Sequence, residues 1–554
     1  MSVAAKIKSK QNPAKMLKRS LDANINTYAD KTHFVYELLQ NAEDAEARKV
    51  RFVLHKEFLE LLHDGLPFTE SNASAICDAA NSDKPKDVNT KIGKFGVGFK
   101  AVFAICDTVK LFSEPLRRET ADALPRFAFE IQDYTNPEDI DSEWSFDEPY
   151  TTRFIFPFNP ERIGIYESIS ELHQDLTRKL TQLGAEVMLF LNHIESIEYV
   201  VVDGVDGIES AHGSYELERK DIGGGCTRIT VLGENRDSNQ GSTYLMYSKK
   251  DNGTRKNVNL VFAIHESGGK TKFIDASLKH KYISVYFPTE MESKLKFMIQ
   301  APFSTTSNRG SIQDRVENHE LVSVATELLR EVVADVKQKG KQESWLTLDF
   351  LNILPRDKQG DDWLLAPLYD ASLDMFKRDE ILPTIDGGFT SANNAYIARS
   401  KDLTEHFEGE KLCALVGNNN AKWMPTTLTE GNQELSALHR FLINEIKIKE
   451  IEPANLVTKL RSKASNANKT HPLWDVVDNE WLVKFYTWLV KEQPAMLRED
   501  KDRSLSTVPF IKATNDEFIA PYTCAYKYNI EKKTEDWSWN KNLYLFPQNM
   551  NRKV

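Results

Sequence analysis

The run Ile92-Gly93-Lys94-Phe95-Gly96-Val97-Gly98-Phe99-Lys100-Ala101-Val102-Phe103 constrains this chain more than any other stretch. Its glycines follow a G-x-x-G-x-G spacing between a polar, lysine-bearing segment and an apolar one that reads as a helix. Glycine lets the backbone take φ > 0 and approach a ligand closely, so main-chain N–H groups can point at phosphate oxygens. A helix starting immediately afterwards adds the positive end of its dipole, a seat for an anion. A glycine turn before a helix is also a common structural device. What gives this one meaning stands upstream.

From Lys31 to Arg48 the sequence KTHFVYELLQNAEDAEAR reads as a helix, with Phe34, Val35, Leu38, Leu39 and Ala42 at helical spacing. Glu37, Asn41 and Asp44 stand at i, i+4 and i+7 and share a face. An amide flanked by carboxylates has the chemistry to hold Mg²⁺ and position a water, since Mg²⁺ takes oxygen ligands and keeps waters of its own. The plain alternative is the polar face of an amphipathic helix. Two short alternating runs, Val50 to His55 and Phe58 to Leu62, predict a β-hairpin. It empties into His63-Asp64-Gly65-Leu66-Pro67, an acid beside a glycine at a strand end. Thr69-Glu70-Ser71-Asn72 reads as a helix start, with the helix running from Ala73 to Ala80. The polar stretch Asn81 to Thr90 has the composition of a lid over a ligand.

The ordered motifs ELLQNAEDA, HDGLPF and IGKFGVGFKAVF resemble the GHKL ATPase superfamily. That superfamily takes in DNA gyrase B subunits, histidine kinases, mismatch-repair ATPases and ninety-kilodalton heat-shock chaperones. The combination is most similar to the sacsin-like branch. The resemblance implies an α+β fold: a GHKL (Bergerat) α/β sandwich over residues 1–160, an α/β transducer-like middle domain over 161–345, and a mixed α/β region over 346–554. It implies Mg²⁺-dependent ATP binding and slow hydrolysis that drives a conformational switch. Chaperone-like remodelling and anti-phage defence are the roles it suggests. Carried over by position, Glu37 resembles the general base that polarises the attacking water, and Asn41 the Mg²⁺ ligand. Asp44 resembles a nucleotide-contacting residue, with Arg48 one turn further on. In the family an aspartate in D-x-G-x-G bonds the adenine amino group. Here His63 occupies that position, Asp64 follows, Gly65 is kept, and Pro67 replaces the second glycine; the expectation falls on Asp64, with His63 its competitor. Gly93, Gly96, Val97 and Gly98 correspond to the phosphate-binding and hinge segment, Phe99 and Lys100 open the next helix, and Lys100 is a phosphate candidate. YTTRFIFPF resembles the segment that closes the nucleotide sheet, which makes Thr152 a nucleotide contact or an ordinary strand threonine.

Residues 161–345 alternate helix-like stretches (Tyr166 to Leu183, Asn318 to Gln338) with strand-like ones, among them Val187 to Leu191, Ile197 to Val202 and Tyr282 to Phe287. Arg309, in the loop APFSTTSNR, resembles the cation that such middle domains lend to the γ-phosphate. A guanidinium suits that role because it stays charged and binds in bidentate fashion. Residues 346–554 carry no catalytic constellation, and the tryptophans from Trp474 to Trp539 read as core.

Composition excludes several classes. A net charge of −11 gives no overall pull toward nucleic acid, although Lys6, Lys8, Lys10, Lys15, Lys18 and Arg19 form a local basic arm. The five cysteines are scattered without C-x-x-C spacing, which argues against structural zinc and disulfides and predicts a reducing cytoplasm. No run is long enough for a membrane span, and no signal-peptide pattern opens the sequence. A histidine kinase is disfavoured, because no dimerising helix with a histidine precedes the Glu37 helix. Two functions remain: an ATPase switch that binds ATP and Mg²⁺, with nucleotide-dependent homodimerisation and a client protein or nucleic acid as expected partners, or a nucleotide-binding scaffold that does not hydrolyse.

Overall fold

The structure, a computed structural model, describes residues 34–77, 98–114, 126–132, 136–145, 147–159, 166, 168–203, 208–235, 238–251, 257–277, 282–306, 310–340, 344–357, 362–461, 471–497, 504–505, 508–512 and 516–520. The fold is mixed α/β, in two compact units: residues 1–332 with 359–368, and residues 333–358 with 369–554.

The first unit is built on one large, mostly antiparallel sheet. In chain order its strands are β1 (Lys49–Leu54), β2 (Phe58–His63), β3 (Thr108–Ser113), β4 (Phe127–Gln132), β5 (Asn136–Asp139), β6 (Thr152–Pro157), β7 (Ser196–Asp203), β8 (Ile208–Asp221), β9 (Cys226–Asn235), β10 (Ser238–Lys250), β11 (Asn257–Ser267), β12 (Lys270–Ile274), β13 (Tyr282–Val285), β14 (Phe287–Glu292) and β15 (Met298–Gln300). The hairpin expected from alternation forms between β1 and β2. Beyond β2 the order runs β6, β3, β4, β5. On its other side β1 lies parallel to β7, so strands from either side of residue 160 share one hydrogen-bonded sheet.

Helix α1 (Phe34–Asp44) covers the sheet because Phe34, Val35, Leu38, Leu39 and Ala42 form one apolar stripe that joins the sheet's core. It stops at Asp44, short of the expected Arg48. Ala45 and Ala47 both donate to the Ala42 carbonyl (3.1 and 3.0 Å), and Glu46 takes a φ of 60°. The chain must reverse there to enter β1, and this left-handed residue ends the helix. Helix α2 (Glu70–Cys77) starts where Thr69 and Asn72 cap one another: Asn72 N–H donates to Thr69 Oγ1 (3.1 Å) and Thr69 N–H to Asn72 Oδ1 (3.2 Å).

Alternation along β1, β2, β6 and β3 sorts the core face into cross-strand rows. One row is Phe52–Leu61–Phe154–Leu111, all apolar. The next row toward the strand ends is Val50–His63–Thr152–Ser113, and it turns polar while still buried. The face under α1 therefore changes from hydrocarbon to hydrogen-bonding groups within two residues.

Several expected elements differ. Val187 to Leu191, expected as a strand, belongs to a 3-10 turn (Ala185–Met188) and its continuation, with Val187 to Leu191 all in the core. A short apolar run does not distinguish a strand from a buried turn. Tyr282 to Phe287 is broken at Tyr286, whose φ of 64° separates β13 from β14. The long β8 was not expected at all. The run after the glycines is a 3-10 helix (Gly98–Ala104). In the second unit, Ala395–Ala398 lies between Lys422–Trp423 and Lys449–Ile451 in a parallel three-stranded sheet. Trp474, Trp481 and Trp488 are buried in its core, as read, and Trp423 joins them. Trp423 donates to the Phe407 carbonyl and Trp481 to that of His406, both at 2.6 Å.

Candidate functional site

The last turn of α1 and the turn that follows β2 are built around each other. Leu66 N–H donates to the Ala45 carbonyl at 2.7 Å. A Cβ at Gly65 would stand 2.5 Å from that same oxygen, so only glycine fits this approach. Asp64 completes the joint: its Oδ1 accepts from the Arg48 and Lys49 amides at 2.7 and 2.8 Å. One oxygen of the carboxylate expected to read a base thus holds the α1–β1 connection, and Gly65 allows the close approach of the two turns. Thr151 reinforces the turn, donating through its N–H to the His63 carbonyl (3.0 Å) and through its hydroxyl to the Gly65 carbonyl.

His63 lies on the core face, 2% exposed, directly across from Thr152. Gly65 N–H donates to its Nδ1 at 3.2 Å. Burial lowers its pKa to about 4, so the ring is neutral. A neutral ring that accepts at Nδ1 carries its proton on Nε2. Thr152 is fully buried, and its Oγ1 has no hydrogen-bond partner among the described residues. A buried hydroxyl without a partner costs stability, and such atoms in native proteins call for an explanation. Ser113, next in the row, is satisfied by Phe68 N–H at 2.9 Å.

On α1, Glu37 is buried, while Asn41 and Asp44 are half-buried. The Asn41 Nδ2 atom is buried without a partner among the described residues. The negative charges of Asp44 and Glu43 add to the effect of burial on Tyr286, whose phenol is pushed up to about 12. Sequence reasoning passed over Glu43. Its carboxylate accepts from the amides of Asn192 (2.5 Å), His193 (3.1 Å) and Ile194 (3.1 Å), which ties the helix to a loop about 150 residues away in the chain.

The 3-10 helix Gly98–Ala104 packs against α1. Phe99 is buried, with its ring 5.5 Å from that of Phe154. Lys100, proposed as a phosphate contact, is 2% exposed, and its Nζ donates to the Ile76 carbonyl in the last turn of α2 at 2.7 Å. The lid stretch Asn81 to Thr90, Gly93, Gly96, Val97 and Arg309 lie outside the described residues, as does the N-terminal basic arm. The flanks of Arg309 are fastened by Thr306 N–H to the Ser311 carbonyl (3.0 Å) and by the Asn318 amide, which bonds both Ser304 and Gln313.

No family model matches the chain. Over 189 residues, 31% of this chain, it is 28% identical to Protein NO VEIN of Arabidopsis thaliana. Over 223 residues, 33% of this chain, it is 26% identical to Sacsin of Homo sapiens. It spans 7% and 5% of the lengths of those two proteins. The likeness is distant, and it is to sacsin-like proteins. No helix among the described residues is long and apolar enough to cross a membrane.

Chemically, then, the described residues bring together one turn (His63–Gly65), one strand end (Thr152) and one helix end (through Ala45). Two buried polar atoms, Asn41 Nδ2 on α1 and Thr152 Oγ1 on β6, lack partners among the described residues. Among the described residues no group of three or more His, Cys, Asp or Glu is placed to hold a metal. A Mg²⁺ held by one amide together with phosphate oxygens and waters needs no such cluster.

Proposed function

We propose that the first unit is a GHKL-type, sacsin-like module that binds ATP with Mg²⁺ and hydrolyses it slowly, as a conformational switch. The observation that carries this reading is the pair of buried atoms without partners among the described residues, Asn41 Nδ2 and Thr152 Oγ1, at two positions matched to the family's motifs. The fit is chemical. The Asn41 amide, turned either way about χ2, offers N–H groups to phosphate oxygens or Oδ1 to a metal. Thr152 and His63 form the base end, and the segment Gly93 to Gly98 supplies main-chain donors to the phosphates. Bound Mg²⁺ would neutralise phosphate charge at Asn41.

Glu37 is the general base in this reading: a buried carboxylate on the same helix face as Asn41 holds and deprotonates a water. Arg309 is the cation offered to the transferred phosphoryl group. Asp64, Gly65, Phe99 and Lys100 hold the frame, each through the contacts described above. The non-hydrolysing scaffold has one observation in its favour, a histidine where a base-reading carboxylate is expected.

Phosphate release by wild type and Glu37→Ala separates the two. The ATPase reading predicts that the variant loses about a hundredfold or more in rate, at the low end of what positioned general bases contribute, with binding retained. Equal rates in the two proteins would leave a scaffold.

A further inference from the structure

The base end of the proposed site offers a donor where a purine's 6-amino group needs an acceptor. His63 Nδ1 already accepts from Gly65 N–H, so the ring's remaining polar atom, Nε2, carries the proton and donates. The adjacent carboxylate is anchored through one oxygen: Asp64 Oδ1 accepts from two amides on the α1–β1 connection. The third group is the Thr152 hydroxyl, buried and unpartnered among the described residues, which can donate or accept as required. His63 and Thr152 are cross-strand partners, so both side chains stand on one face of the sheet.

We infer that this pair accepts 6-oxopurine triphosphates as readily as ATP, so that the module is a general purine-nucleotide switch. The inference rests on the nucleotide-binding reading above. Hypoxanthine presents O6 as an acceptor for His63 Nε2–H and N1–H as a donor to Thr152 Oγ1. Adenine presents N7 to His63 and its 6-amino group to Thr152, with the base displaced by one position along its rim. Both arrangements give His63 Nε2–H an acceptor and Thr152 Oγ1 a donor. Strong selectivity arises where a site holds a group that only the right substrate can satisfy; an ionised carboxylate facing the 6-position is such a group, and here the core face at that strand end carries His63 instead. Burial keeps His63 neutral across the physiological range, so this donor–hydroxyl pattern does not change with ordinary shifts of pH.

The test is calorimetric titration of the full chain, in Mg²⁺, with ATP, ITP and purine riboside triphosphate. The last keeps N7 and lacks any 6-substituent, so it reports what the amino group contributes. The expected result is an ITP dissociation constant no more than about tenfold weaker than that of ATP, with the purine analogue also within about tenfold. A preference for ATP over ITP larger than this overturns the inference and leaves the ATP-binding reading intact. Binding of none of the three overturns both. In the folded His63→Asp variant, checked by circular dichroism, ITP affinity falls relative to ATP by about tenfold or more, because a carboxylate then faces O6. An unchanged ratio there would show that His63 does not read the base. The wild-type series decides the question even where that variant does not fold.

Discussion

At the scale of single residues, the turn His63-Asp64-Gly65 shows how little a motif letter says about a side chain's task. Gly65 is there because a Cβ has no room against Ala45, and Asp64 because two main-chain amides need an acceptor. His63 is the residue left facing the core side of the sheet. Its ring makes a prediction of its own. The folded-state pKa, about 4, lies below the ordinary 6.5, so between those values the unfolded chain binds a proton that the folded chain refuses. Stability attributable to this site is therefore full above about pH 6.5 and falls as pH drops toward about 4, by up to about 3 kcal/mol. Urea unfolding at about pH 7.5 and about pH 5 should show His63→Asn losing about 2 kcal/mol less than wild type between the two. Equal losses would mean that the imidazole is not held neutral by burial. The assignment was within reach of the sequence: in Phe58-Leu59-Glu60-Leu61-Leu62-His63, strand parity places His63 with Leu59 and Leu61, and Asp64 already lies past the strand's last residue.

At the scale of elements, α1 is fastened at its C-terminal end by Glu43, whose carboxylate collects the amides of three consecutive residues. Each bond is charge-assisted and largely shielded from water. Glu43→Gln keeps the shape and removes the charge; it should lower stability by about 1–3 kcal/mol in denaturant unfolding. A change indistinguishable from zero would make the clamp a crystal-like coincidence of geometry rather than a support. The position of this clamp could not be read from the chain, since the partner is backbone about 150 residues away and backbone leaves no letter behind. Elements carrying periodic apolar residues were legible: α1, although it ends at Asp44, and the β1–β2 hairpin form where the pattern put them. The strand β8 was not, because Ile208 to Asp221 has many polar residues on both faces, and its ladder partners β7 and β9 decide its conformation. Tyr286 was equally hidden, as no side-chain pattern marks a tyrosine forced to φ 64° between two strands.

At the scale of the molecule, the first unit is held together by one sheet. The parallel β1–β7 pair splices the hairpin that carries His63 onto the antiparallel series that includes β8 to β11. The expected boundary near residue 160 was drawn from motif content, and motif content does not record which strands pair across it. The distant likeness to Protein NO VEIN and Sacsin covers about a third of this chain. The account's central claim concerns a smaller region: the buried atoms Asn41 Nδ2 on α1 and Thr152 Oγ1 on β6, unpartnered among the described residues, are proposed to take a nucleotide as their partner. Calorimetric titration of the full chain with adenylyl imidodiphosphate and Mg²⁺, in wild type and Asn41→Ala, tests this most directly. The account predicts saturable one-to-one binding by wild type and a loss of about tenfold or more in the variant, with the unfolding midpoint of the free variant unchanged or raised, since a buried unpaired amide has been removed. No binding by wild type, or equal affinity in the two proteins, would contradict it.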